Sequence, residues 1–219
     1  MSKKHKELLF IASLGYLGLG LYTCTMNTKI LLFTLFISNY SFAILTTNPD
    51  SIRGALRPKR LCFDVSSYDL SVNIDPVKKR ISGQNDIYFT CLKRSKTIQI
   101  DLFRQYEIKS IYLHAPIDST GLNEVLPVNF KKIEDALFIS FTDSLTPGGN
   151  YKLRIMYHGY PNSAKNAPWD GGFVWEKDSL NRYFCGVACE GWGASSWWPC
   201  KDHLSDEPDS MKLTFVVPE

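Results

Sequence analysis

The sequence predicts an all-β protein, a sandwich or open barrel of short, mainly antiparallel strands. Three observations carry this reading. Between Ser67 and His158, apolar residues recur at every second position in successive short runs, the period of a strand with one buried face. Turn-forming residues separate those runs at intervals of roughly 8–12 residues. No run there shows the 3.6-residue period of an amphipathic helix. With 219 residues, 44% hydrophobic and 13% aromatic, the chain can bury a real core and has none of the composition of a disordered segment.

The runs can be taken in order. Tyr68, Leu70, Val72 and Ile74 alternate with Asp69, Ser71 and Asn73, and Asp75-Pro76 ends the strand because proline cannot donate to a ladder. Ile81 to Leu92 places Ile87, Phe89 and Cys91 on one face, and Lys93 to Lys96 turns the chain. Ile98, Ile100 and Leu102 follow, then Ile108 to Leu113, then a turn at Asp118-Ser119-Thr120-Gly121. Leu126, Val128 and Phe130 alternate, as do Leu137, Ile139 and Phe141. Thr146-Pro147-Gly148-Gly149-Asn150 makes a tight connection into Leu153, Ile155 and Tyr157. After Gly159 comes a Pro-, Asn- and Gly-rich loop to Gly172. Short extended pieces follow at Phe173–Trp175 and Tyr183–Cys185, and a last strand runs from Met211 to Val217. Ending at Glu219, directly after that strand, is the pattern of a truncated domain.

The N-terminal end reads as an export signal. Leu8 to Tyr22 and Ile30 to Leu45 are apolar but shorter than the ~20 residues a spanning helix needs. Met26-Asn27-Thr28-Lys29 supplies a start and a positive charge, Ile30 to Ile37 the apolar region, and Ser41-Phe42-Ala43 the small residues a signal peptidase reads. The expectation is therefore an extension and signal peptide over 1–43, with the true start at Met26 and cleavage after Ala43. A polar linker over 44–60 and a β domain over 61–219 complete the division. The mature chain is expected to be periplasmic or secreted, and to meet a membrane only if the N-terminal segment stays as an uncleaved anchor. Residues 1–60 carry eight Lys/Arg against two acids, leaving 17 against 20 in the rest, so the basic balance belongs to the leader and nucleic acid is not an expected partner.

Catalytic signatures are missing. His5, His114, His158 and His203 begin no H-E-x-x-H, and no G-x-S-x-G or phosphate-binding glycine loop occurs. His203 with Asp202, Asp206 and Glu207 can be drawn as a metal or acid–base cluster, but reads better as a solvated acidic turn. Cys62, Cys91, Cys185, Cys189 and Cys200 form an odd set beyond the leader. Cys185 and Cys189 would lie ~13 Å apart on a strand, too far to bridge, whereas Cys189 and Cys200 could meet across a loop. The stretch Tyr183–Pro218 holds three of the five tryptophans. Together with Trp169 and Trp175, they could form an aromatic surface for glycans or peptides, or simply pack a core. Glu190, in Cys189-Glu190-Gly191-Trp192-Gly193, stands out. An anion flanked by glycines, where another backbone can come close, suits the capture of an ammonium group.

Tyr183–Pro218 also resembles the N-terminal domain of the aminopeptidase N family of zinc metallopeptidases (the gluzincins, which include leukotriene hydrolase). Glu190-Gly191, the spacer Trp192–Trp198, Pro199-Cys200-Lys201-Asp202, Pro208, Lys212, Phe215 and Pro218 carry the likeness, supported by Tyr68-Asp69-Leu70 and Leu145–Tyr157. The resemblance implies a saddle-like β domain in which Glu190 binds the free amine of a peptide N-terminus and Gly191 lines the first substrate pocket. It further implies zinc in the full-length enzyme, held by a downstream catalytic domain of the same polypeptide. The catalytic Gly-x-Met-Glu-Asn and H-E-x-x-H segments are then expected beyond Glu219. Three departures bear on pocket shape: Ser195 where the spacer often has an Arg, a longer turn at His203–Glu207, and Gly191 in place of the usual alanine.

Overall fold

Alternation accounts for most strands of the computed structural model, which describes residues 48–114, 125–167 and 169–218. Two short helices come first, α1 (Asn48–Gly54) and α2 (Pro58–Leu61). Then follow β1 (Phe63–Asp75), β2 (Arg80–Cys91), β3 (Ser95–Asp101), β4 (Tyr106–His114), β5 (Val125–Pro127) and β6 (Asn129–Ile133). The series continues with β7 (Ala136–Leu145), β8 (Asn150–Gly159), β9 (Gly172–Lys177), β10 (Tyr183–Ala188) and β11 (Ser210–Val216). The turn expected at Asp118–Gly121 and the leader up to residue 47 lie outside the described residues. Among the described residues no helix is long and apolar enough to cross a membrane.

The described strands form a six-stranded sheet ordered β11-β1-β2-β8-β4-β5, a three-stranded sheet β3-β7-β6, and the hairpin β9-β10. The first two share one core, to which β1, β2, β4 and β8 contribute residues such as Leu70, Ile87, Leu113 and Ile155, and β3 and β7 contribute Ile98, Ile100, Leu137 and Ile139. This is a sandwich, with no closed barrel among the described strands. β1 shows how a bulge serves it. Phe63 and Val65 are buried on odd positions, Tyr68, Leu70 and Val72 on even ones, and the register against β2 slips between Val65 and Ser67. The extra residue re-aims the strand without exposing its apolar set.

Two expectations need correction. Leu126, Val128 and Phe130 do not share a strand: β5 pairs with β4 in the large sheet, while β6 pairs with β7 in the small one. Pro127 has no N–H to continue a ladder, and the chain changes sheets beside it. The segment read as a linker is structured from residue 48 onward. Ile52 is buried, and Arg60 is 0% exposed despite its charge. Its burial is polar rather than periodic: Arg60 is ion-paired to Asp101, itself 0% exposed.

β11 is the outlier. It pairs in parallel with β1, Ser67 against Ser210 through Asn73 against Val216, and its other edge is free among the described strands. All of its residues are exposed, including Leu213 at 50% and Phe215 at 51%. Between it and the β9–β10 hairpin lies an apolar cavity of about 650 Å³, lined in part by Ile74, Tyr183, Val187, Trp197 and Phe215.

Candidate functional site

The Glu190 loop is built from its glycines and from one carboxylate. After β10, the amides of Trp192 and Gly193 both donate to the Cys189 carbonyl, at 3.1 and 3.0 Å, closing a tight turn with Glu190 exposed near its apex. Gly191 takes φ +68°, a left-handed conformation that glycine adopts without a Cβ penalty. A Cβ at Gly191 would meet nothing within 4 Å, so the backbone angle rather than crowding selects glycine there.

Gly193 is needed for both reasons. Its φ of +75° and ψ of 177° fall in a region essentially confined to glycine, and a Cβ would stand 2.3 Å from Asp202 Oδ2. That oxygen occupies the space because it latches the loop. Ser195 donates to it from its backbone N (3.0 Å) and from Oγ (2.6 Å), on the single 3₁₀ turn Ala194–Ser196. Ser195 thus stands where the resemblance leads one to expect an Arg. The guanidinium near Asp202 comes instead from Arg53 of α1, 3.4 Å from Oδ2.

Below the latch, Pro199-Cys200-Lys201-Asp202 is fastened to β2 and β3. Asp101 and Cys200 exchange backbone hydrogen bonds at 2.8 and 3.1 Å, and the Asp202 amide donates to Asp101 Oδ2 at 3.1 Å. Asn85, buried on β2, donates to the Pro199 carbonyl at 2.8 Å, and Tyr106 Oη donates to Ser196 O at 3.0 Å. Lys201 is buried with its Nζ 2.6 Å from Asp206 Oδ1, 2.7 Å from the Phe63 carbonyl, and over the Phe63 ring. The motif therefore acts as a pedestal for the Glu190 turn. Burial is the main cause that pushes Asp101 up to about 6, against the pull of the Arg60 guanidinium and the other donors around it.

The other sequence-based candidates are placed elsewhere. Asp202 and Asp206 are engaged by Ser195 and Lys201, so the acidic turn is not simply solvated. His203 is tied locally through Nδ1 to Ser205, and Leu204 is fully exposed. Among the described residues no three His, Cys, Asp or Glu side chains come together as a metal site. Cys62, Cys91, Cys185, Cys189 and Cys200 are free thiols. Cys189 and Cys200, which could have met across the loop, are apart: Cys189 is exposed on the turn while Cys200 is buried, and burial drives its thiol far up. Trp197 and Trp198 are core residues, edge-on to each other and to Phe173 and Tyr68 respectively; Trp169 is exposed. The five tryptophans thus do not form one platform. The contribution of Arg53 was missed, since an arginine in a polar segment 139 residues before Trp192 carries no local signal of its destination.

The described residues thus form a β-sandwich with Pro199-Cys200-Lys201-Asp202 fastened to its sheets beside the exposed Glu190-Gly191 turn. Residues 65–217 match the Peptidase M1 N-terminal domain, and the chain belongs to that family. Among solved structures it is similar to the M1 zinc metallopeptidase of Deinococcus radiodurans, at 21% identity and TM-score 0.52 over 71% of this chain and 32% of that one. A mutant of that enzyme bound to a Tyr-Ser-Ala substrate gives 20% identity and TM-score 0.52, covering 73% and 33%. A two-domain M1 zinc metallopeptidase mutant bound to L-arginine gives 21% and 0.54, covering 73% and 33%. The chain thus spans about a third of the length of these structures. No curated protein sequence matches it.

Proposed function

We propose that this domain is the substrate-recognition part of an exported zinc aminopeptidase. In this reading Glu190 receives the α-ammonium of a peptide N-terminus, and Gly191 leaves room for the first side chain. The observation that carries it is an exposed carboxylate on a turn whose backbone is pinned beneath it by Asp202. A carboxylate set on a fixed support loses little freedom when it binds a cation, so more of the charge-assisted hydrogen bond is kept. In this reading the domain holds the substrate and performs no bond-breaking step itself. Zinc and cleavage belong to a catalytic domain of the same polypeptide, in keeping with the two-domain, zinc-bearing relatives.

The test uses the full-length polypeptide. Glu190→Ala should lower kcat/KM for free-amine aminoacyl substrates by on the order of tenfold to a hundredfold, the worth of a hydrogen bond to a charged group at roughly 1.5–3 kcal/mol. An unchanged value removes Glu190 from the site. Export rests on the Met26–Ala43 reading. N-terminal sequencing of the mature protein should start at Ile44, and a retained Met26 would contradict cleavage.

A further inference from the structure

The Glu190 turn has a second support, from the far end of the chain. Arg53 Nη2 of α1 donates to the Trp192 carbonyl, inside the turn itself, and lies 3.4 Å from Asp202 Oδ2. Its guanidinium carbon stands 4.7 Å from the centre of the Phe103 ring, whose other neighbour is Trp192 at 5.7 Å between centroids. A planar cation is well matched to this place, since it can stack on a ring and direct separate N–H groups to a carbonyl and a carboxylate.

Arg53 is itself held. Arg60 donates from Nη1 to the Arg53 carbonyl and to Ala55 O (3.3 Å), and from Nη2 to Asp101. Gln99 bridges Ile52 O (3.2 Å) and Asp101 Oδ1 (3.0 Å). Asp101 Oδ2 in turn accepts the Asp202 amide. The path Asp202–Asp101–Arg60–Arg53 therefore returns to Asp202, a closed ring of polar contacts fastening α1 against the loop. A ring of this kind resists loosening at any one member, because each group is restrained from two sides.

We propose that Arg53 is a positioning residue for the Glu190 turn, and that α1 with α2 forms a clasp fixing the direction in which that carboxylate projects. The positioning itself stands on contacts alone; its effect on substrate rests on the reading of Glu190 as the amine-binding group.

Hydrogen exchange on the full chain tests the positioning. In Arg53→Ala the amides of Trp192 and Gly193 should exchange at least tenfold faster, while the β1 and β2 amides keep their wild-type rates. Arg53→Lys, which keeps a cation but loses the planar fork, should fall between the two and carries the test if Arg53→Ala does not fold. Unchanged turn amides, or acceleration spread equally through β1 and β2, overturn the proposal. In the full-length polypeptide, Arg53→Ala should raise KM for a free-amine substrate several-fold and move kcat less than twofold. Faster turn amides with KM unmoved in both Arg53→Ala and Glu190→Ala would leave the clasp standing and remove the recognition reading.

Discussion

Replacing Arg60 with Met lowers the unfolding free energy by about 3–5 kcal/mol at neutral pH, and the loss shrinks on acidification. Arg60 and Asp101 are both fully buried, and the guanidinium is the cation paired with that carboxylate. Removing it leaves the buried carboxyl either ionised without a partner or obliged to take up a proton to stay folded, and either costs free energy at neutral pH. The same substitution takes away the donor to Arg53 O and Ala55 O, so α1 loosens with it. Against a total stability of about 5–15 kcal/mol for a typical domain, this is a large share.

The pH dependence has a definite sign. The folded Asp101 carboxyl is raised from 3.8 to about 6, chiefly by burial, so the folded state holds its proton where the unfolded state releases it. Stability from this site is full below about pH 3.8 and is lost as pH rises through about 6. Arg60 is the first cause opposing that rise, and without it the folded carboxyl moves higher still. The variant should therefore be weakest above pH 6 and recover toward pH 4. Urea midpoints at pH 7.5, 6 and 4.5 check this, and an equal loss at all three would contradict an uncompensated Asp101 charge. Combining Arg60→Met with Asp101→Leu should restore much of the loss, as buried pairs exchanged for apolar residues often do.

Gly193→Ala is the second large effect. The φ/ψ of +75° and 177° costs about 1–3 kcal/mol for a residue with a Cβ. The new methyl would also displace Asp202 Oδ2, which accepts both Ser195 hydrogen bonds, each worth roughly 1.5–3 kcal/mol when one partner is charged. Some of that is recovered as water reaches the freed carboxylate. A drop in the thermal midpoint of several degrees is expected, with loss of protection at Ser195 in hydrogen exchange. Gly191→Ala meets open space and should cost less, through φ alone. Equal effects of the two substitutions would argue against the Asp202 latch.

Much of this fold could be read from alternation, because a strand with one buried face writes a period of two into the sequence. The Val65/Ser67 bulge even shows as the phase change from Phe63 and Val65 to Tyr68 and Leu70. What alternation does not encode is partnership. Nothing local in Met211–Val217 indicates a parallel pairing with β1, and nothing in Val125–Ile133 beyond Pro127 marks the change of sheet. The turn that carries Glu190 was legible, because Gly191 and Gly193 mark a turn in the sequence. The clasp was not, since its members are the half-buried Arg53 and the buried Arg60, Gln99 and Asp101, residue types that hydropathy assigns to solvent. Polar burial is legible only once partners are brought together. For the same reason Asp202 and Asp206 looked like a solvated acidic run until Ser195 and Lys201 were placed beside them.

The pairing of β11 with β1 also sets an order of events. Lys212 reaches Asp69 across 143 residues of sequence, whereas β1 meets β2 through a four-residue turn. On a ribosome, β1 and β2 can zip together while one edge of β1 still waits for a strand not yet made. Bringing that strand in requires closing a loop that encompasses nearly the whole domain, and contacts at such separation form slowly. The large sheet should therefore gain its last described strand late in synthesis. Until then the open flank of β1 is the place where a nascent chain would need shielding from its neighbours.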